Sequence, residues 1–201
     1  MILAAGASSR MGRPKQALQF EGESLLRRAV LAALGASCAP VVVVLGANAD
    51  VSGRELIGLG VTQVLNPDWE RGMGSSISTG VRTLQESSLE VNAAVLLLCD
   101  QPFVTSEVLK GLIAEHSRSC IQIVASRFKN TFGAPALFAK AIFPELLRLN
   151  GATGAKPVIQ DHIAQTVFLT FPEGEVDIDT PDDLLSIIKG NPISSDPERH
   201  I

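Results

Sequence analysis

Three short apolar runs constrain this chain most, because each is continuous rather than alternating. Ile2 to Ala5, Val41 to Leu45 and Ala93 to Cys99 contain no polar residue. A strand with one wet face alternates, whereas an uninterrupted short run is how a strand buried on both faces of a parallel sheet reads. Between these runs the apolar period changes to that of a helix. Leu25, Leu26, Ala29, Val30, Ala33 and Leu34 share one face with Arg27 and Arg28 outward; Ile77, Val81 and Leu84 form a second face, and Val108, Leu109, Leu112 and Ile113 a third. Such βαβ alternation predicts an α/β fold, a three-layer α/β/α Rossmann-like domain with a mostly parallel sheet and right-handed crossovers. Ligands of such sheets lie at the carboxyl ends of the strands, where Gly6 and Asp100 both fall.

With 201 residues, 46% of them hydrophobic, the chain suits one domain with a real core. We expect that domain over residues 1–189 and a frayed, polar, proline-containing tail over 190–201. The chain starts almost inside its first strand, which a few residues upstream would lengthen. A net charge of −4 excludes a nucleic-acid polymer as the main partner, since no basic excess exists to neutralise a phosphate backbone. Cys38, Cys99 and Cys120 lack C-x-x-C spacing and have apolar neighbours, so they read as reduced core thiols. The histidines pair with no Cys or carboxylate at metal-ligand spacing, which argues against zinc. No run reaches the roughly 18 apolar residues that span a bilayer, and no signal-peptide pattern is found; a cytoplasmic protein with no membrane partner is expected.

The first run enters a loop carrying Gly6, Ser8, Ser9, Arg10, Gly12 and Lys15. Small residues let backbone approach a ligand, and the N–H groups of such a loop can cup anionic oxygens. Arg10 adds a planar fork suited to phosphate and Lys15 a compact charge. The spacing fits neither the P-loop nor the G-x-G-x-x-G dinucleotide pattern. The ligand expected is a polyphosphate; the bland alternative is a flexible turn with two solvated cations.

Asp100 ends the third apolar run, before Gln101-Pro102. A carboxylate at that end of a strand, facing a phosphate loop, is placed to hold Mg²⁺; otherwise it is a turn aspartate. In Val176-Asp177-Ile178-Asp179-Thr180-Pro181-Asp182-Asp183, an extended backbone puts Asp177 and Asp179 on one face. Two such carboxylates repel unless a cation lies between them. Thr180 reads as an N-cap, Pro181 as the first helical residue and Asp183 as its capping-box partner. The Gly/Ser loop Asn66 to Ser76 leads into the helix at Ile77 and suits an anion, a base edge or plain capping by Ser75. Trp69 either stacks on a ring or packs in the core.

Residues 3–15, L-A-A-G-A-S-S-R-M-G-R-P-K, resemble the signature loop of the MobA-like nucleotidyltransferases, and within them the molybdenum cofactor cytidylyltransferase branch. C-D-Q-P, N-P-x-W-x-x-G-M-x-S-S and D-x-D-T-P-x-D extend the resemblance over nearly the whole chain. It implies a fold of the nucleotide-diphospho-sugar transferase type, with a small acceptor-side excursion over 126–156. It further implies nucleotide binding by Leu3, Ala4, Ala5, Gly6, Ser8, Ser9, Arg10, Lys15, Gly74, Ser75 and Ser76. Arg10, Lys15 and Asp100 would be catalytic. Mg²⁺ would be held by Asp100 with Asp179, Asp177 or both. Gly133, Pro135 and Lys156 would face the acceptor. Two departures stand out: Ala152 and Lys156 replace the family's usual Asp and Arg. The implied reaction passes CMP from CTP to the terminal phosphate of a molybdopterin-type cofactor and releases pyrophosphate, with a molybdoenzyme or its chaperone as a further partner. The rival readings are the same fold acting on GTP or on a sugar or polyol phosphate, and a non-catalytic nucleotide-binding cofactor chaperone.

Overall fold

The computed structural model describes residues 1–189, so the expected tail lies outside the described residues. The chain runs β1 (Ile2–Ala4), a hairpin of β2 (Gln19–Phe20) and β3 (Glu23–Ser24), α1 (Leu25–Gly35), β4 (Val42–Leu45), α2 (Ala49–Glu55), β5 (Thr62–Leu65) and α3 (Met73–Gln85). It continues through β6 (Ala93–Leu98), α4 (Ser106–Ser119), β7 (Ile123–Phe128), β8 (Thr131–Ala139), α5 (Phe143–Leu146), α6 (Lys156–Asp161), β9 (Thr166–Thr170) and α7 (Pro181–Ile188).

Seven strands form one sheet in the order β5-β4-β1-β6-β8-β7-β9. β1 pairs in parallel with β4 and β6, β4 with β5, and β7 with β9; β8 alone of these runs antiparallel, between β6 and β7. The continuous apolar runs have a simple cause. Ile2, Val43, Val95, Leu97 and Val124 face one core against Leu26, Val30, Leu109 and Leu112 of α1 and α4. Their neighbours Leu3, Val42, Val44, Leu96 and Ile123 face a second core against Ile77 and Val81 of α3, Phe143 of α5 and Ile159 of α6. Every position of β1, β4 and β6 thus meets an apolar layer.

A third, smaller core joins Met11, Leu18 and Phe20 to Leu25, Ile178 and Leu184. It clamps the segment after β1 onto the segment that opens α7. The capping box expected at α7 is present: Thr180 accepts from the Asp183 backbone, and the Asp183 carboxylate accepts from the Thr180 N–H at 2.7 Å.

Several expectations need correction. The acceptor-side excursion is shorter than the expected 126–156: β8 lies within that range yet completes the main sheet, and only the stretch between β8 and α6 leaves it. That stretch opens with a 3-10 turn, Lys140–Ile142, which runs into the four-residue α5. Cys120 is exposed, because it sits in the left-handed position that ends α4. Arg28 does not simply point outward: its guanidinium lies 4.8 Å from the centre of the Phe20 ring and donates to Pro102 O at 3.1 Å.

Candidate active site

The loop after β1 is shaped by Gln16, whose fully buried amide donates to Ala4 O at 3.0 Å and Gly6 O at 2.9 Å. Asn48 Nδ2 donates to Gly6 O at 3.3 Å from the other side. Ser8 adopts a left-handed backbone, and its hydroxyl accepts from the Lys15 N–H at 3.1 Å. Ser8 therefore builds the loop, while Ser9 and Arg10 stand exposed beyond it.

The backbone of Ile178 donates to Asp100 O at 3.0 Å, which brings Asp177 and Asp179 beside Asp100. Lys15 enters among them: its ammonium donates to Asp100 Oδ2 and, at 3.3 Å, to Asp179 Oδ1. Arg10 Nη2 donates to Asp179 Oδ2 at 2.9 Å. Burial works against the Lys15 charge, yet the neighbouring acidic groups, Asp100 foremost and Asp179 with it, together outweigh it and Lys15 is held above the usual lysine range. Burial, then repulsion from Asp100 and Asp179, raises Asp177 well above the usual carboxylate range. Burial and the Asp100 charge push the Cys99 thiol up to about 12, so it is inert.

Beside this cluster opens a cavity of about 370 Å³. Leu3, Ala4, Ala5, Gly6, Lys15, Ser76 and Asp100 line it, as do Trp69, Met73 and Ala152. Trp69 is thus a wall of the cavity, not a core anchor, and it closes over Gly46, where a Cβ would stand 2.5 Å from Ala5 O. Asn66, buried, donates to Ser75 Oγ at 2.9 Å and Ser76 Oγ at 3.0 Å and so orients the first turn of α3. The Ser75 hydroxyl donates to Gly72 O at 2.8 Å and Asp68 O at 2.9 Å, so Ser75 holds the loop together and is not the helix cap; the N-cap is Gly72. The Gly74 N–H donates to Gly151 O at 3.0 Å, which ties this loop to the acceptor-side loop.

Ser8, Ser9, Arg10, Gly74 and Ser75 do not line the cavity, nor do Gly133, Pro135 and Lys156. Pro135 is buried and its carbonyl accepts from Ser126 Oγ at 2.7 Å. Lys156 Nζ donates to Thr131 Oγ1 at 2.7 Å and rests 5.7 Å from the Phe132 ring centre. The acceptor-side strand reaches the cluster through Gln101, which donates to Ala134 O at 3.1 Å and Gly174 O at 3.2 Å. Gln16, Asn66 and Gln101 carry the site's architecture and were given no role from the sequence; an amide beside a motif is not distinguishable there from a surface amide. A smaller cavity of about 210 Å³ opens at the opposite end of the sheet, beside Met1, Cys38, Val95 and Leu137, away from these motifs.

The donor set suits a hard divalent cation, being all oxygen. Asp100 Oδ1 and Asp177 Oδ1 are sealed from solvent without a hydrogen-bond partner. Yet among the described residues no three His, Cys, Asp or Glu side chains form a ready-made ligand group; the Lys15 ammonium stands between Asp100 and Asp179. Among the same residues no helix is long and apolar enough to cross a membrane.

Comparison with known proteins converges on one family. The model of the MobA-like NTP transferase domain matches residues 1–167. The purine catabolism protein PucB of Bacillus subtilis (strain 168) is 32% identical over 199 residues, covering 91% of this chain and 92% of PucB. The molybdenum cofactor cytidylyltransferase of Escherichia coli (strain K12) is 25% identical, covering 92% and 93%. The crystal structure of Rv0371c from Mycobacterium tuberculosis H37Rv superposes with a TM-score of 0.79 at 27% identity, covering 94% of this chain and 95% of that one. A manganese complex of the same protein gives a TM-score of 0.72 at 26% identity, covering 94% and 96%.

Proposed function

We propose, from the premise that this chain belongs to the MobA-like NTP transferase family, that it transfers CMP from CTP to the terminal phosphate of a molybdopterin-type cofactor. A nucleotidyltransferase activity follows from the family; the nucleotide and the acceptor are our reading. The observation that carries it is the meeting of Lys15 with Asp100 and Asp179 beside the cavity that Gly6, Lys15 and Asp100 line. The named cytidylyltransferase relative supports the choice of CTP and of a molybdenum cofactor acceptor.

An acceptor phosphate is already anionic near neutral pH, so attack on the α-phosphorus needs no Ser-His-Asp relay, and pyrophosphate carries away the electron pair. Catalysis then reduces to positioning and charge stabilisation. The backbone of Leu3 to Ala5, with Ser76, would orient base and ribose, and Gly74 and Ser75 would support that wall from behind. Lys15 and Arg10 would neutralise the β- and γ-phosphates, with Ser8 and Ser9 shaping the loop that holds them. Asp100 and Asp179 would hold Mg²⁺, whose chemistry is Lewis-acid stabilisation of charge on phosphate oxygens; Asp177, pushed toward its neutral form, is the weaker ligand of the three. Gly133, Pro135 and Lys156 would border the acceptor. Ala152 stands where the family usually has Asp, and this departure is what keeps a sugar or polyol phosphate acceptor as the rival reading.

The test is consumption of CTP or GTP, read as pyrophosphate release, with molybdopterin cofactor or with sugar and polyol phosphates. CTP consumed only with the cofactor is the expected result; turnover of GTP, or of CTP with a sugar or polyol phosphate alone, overturns the assignment. Asp100→Asn is expected to lose about 10²- to 10³-fold in turnover, the scale of one removed electrostatic stabiliser.

A further inference from the structure

We propose that Lys15 is the resident counter-cation of the acidic cluster, and that a divalent cation and a triphosphate enter this site by exchanging ion pairs with Lys15 and Arg10. The inference rests on the functional reading above and adds a coupling between binding of the cation and binding of the nucleotide.

The geometry is specific. Lys15 comes from the loop after β1, Asp100 from the end of β6, and Asp179 from the segment that opens α7. The ammonium bridges both carboxylates, and its side chain is only 16% exposed, as Asp100 (14%) and Asp179 (18%) are. Arg10 takes the second oxygen of Asp179, at 2.9 Å. The two cations suited to a triphosphate are thus spent on the two carboxylates suited to a metal. Each half of the site satisfies the other.

A divalent cation that bridges Asp100 and Asp179 competes with the Lys15 ammonium for them, and displacing that largely shielded ammonium alone leaves it without a partner, which is costly. A triphosphate arriving alone must draw Lys15 and Arg10 away and strand two adjacent carboxylates, with Asp177 close behind them. Arriving together, the two give a new partner to every charge that the exchange uncovers: the cation pairs with Asp100 and Asp179, and the phosphates with Lys15 and Arg10. Binding of either therefore strengthens binding of the other, beyond the chelation that occurs in solution. Lys15 acts here as a positioning residue: it holds the loop after β1 against the α7 segment.

The experiment is titration of full-length protein with Mn²⁺ alone, without nucleotide, read by the electron paramagnetic resonance of free Mn²⁺. Wild type is expected to bind weakly. Lys15→Met is expected to bind Mn²⁺ at least tenfold more tightly, and Lys15→Met with Asp100→Asn to lose that gain. Lys15→Gln, and the rise in melting temperature on adding Mn²⁺, serve as second readings should Lys15→Met fold poorly; both should exceed wild type. Equal Mn²⁺ affinity in wild type and both Lys15 variants, with binding still abolished by Asp100→Asn, overturns the exchange while leaving the metal site intact. Failure of every protein to bind Mn²⁺, even with a non-hydrolysable CTP analogue, overturns both.

Discussion

Asp177 shows how a residue's meaning depends on what surrounds it. Written beside Asp179 it reads as half of a ligand pair; in the fold its Oδ1 is sealed from water near the Asp100 and Asp179 charges, and it is pushed toward its neutral form. The consequence for stability has a definite sign. Over the range from the ordinary aspartate value, about 3.8, up to its raised native value, Asp177 is protonated when folded and ionised when unfolded. The native state then binds more protons, so stability falls as pH rises through that range. Asp177→Asn cannot ionise and should abolish this part of the decline. Urea midpoints measured from pH 4 to 8 should converge for wild type and variant at the acid end and separate in favour of the variant toward neutrality. Parallel profiles would show that Asp177 is charged in the folded protein.

At the scale of elements, the two loops that wall the cavity depend on each other. Gly72 has φ of +103°, and a Cβ there would lie 2.4 Å from Gly151 O. Gly72→Ala therefore meets both backbone strain and a clash with the acceptor-side loop. We expect a loss of more than about 1 kcal/mol, measured by urea denaturation, together with a raised KM for the nucleoside triphosphate. Helices and strands were largely legible in the sequence, because a run apolar on both faces and a 3.6-residue stripe are local patterns. The antiparallel insertion of β8 between β6 and β7 was not, since strand direction follows from which neighbour the chain returns to. Nor was Cys120: its apolar neighbour Ile121 suggested burial, but the turn that ends α4 carries it outward.

For the whole molecule, the sheet separates two independent cores. Leu97 lies in one and Phe143 in the other, each nearly or fully buried. Leu97→Ala should cost about 2–5 kcal/mol and Phe143→Ala about 3–5 kcal/mol. The double variant, on opposite faces of the sheet, should lose about their sum; a shortfall well beyond 0.5 kcal/mol would mean that the two layers repack together. The membership of the chain in its family, the layered α/β plan and the capping box of α7 were determined by the sequence alone, because each rests on residues close together in the chain. Tertiary structure alone decided that Lys15 faces Asp100 and Asp179, that Trp69 is a cavity wall, and that Gly133, Pro135 and Lys156 do not line that cavity. These are contacts between segments far apart in sequence, set by the small core of Met11, Phe20, Ile178 and Leu184 and by the sheet order, and no local pattern encodes them.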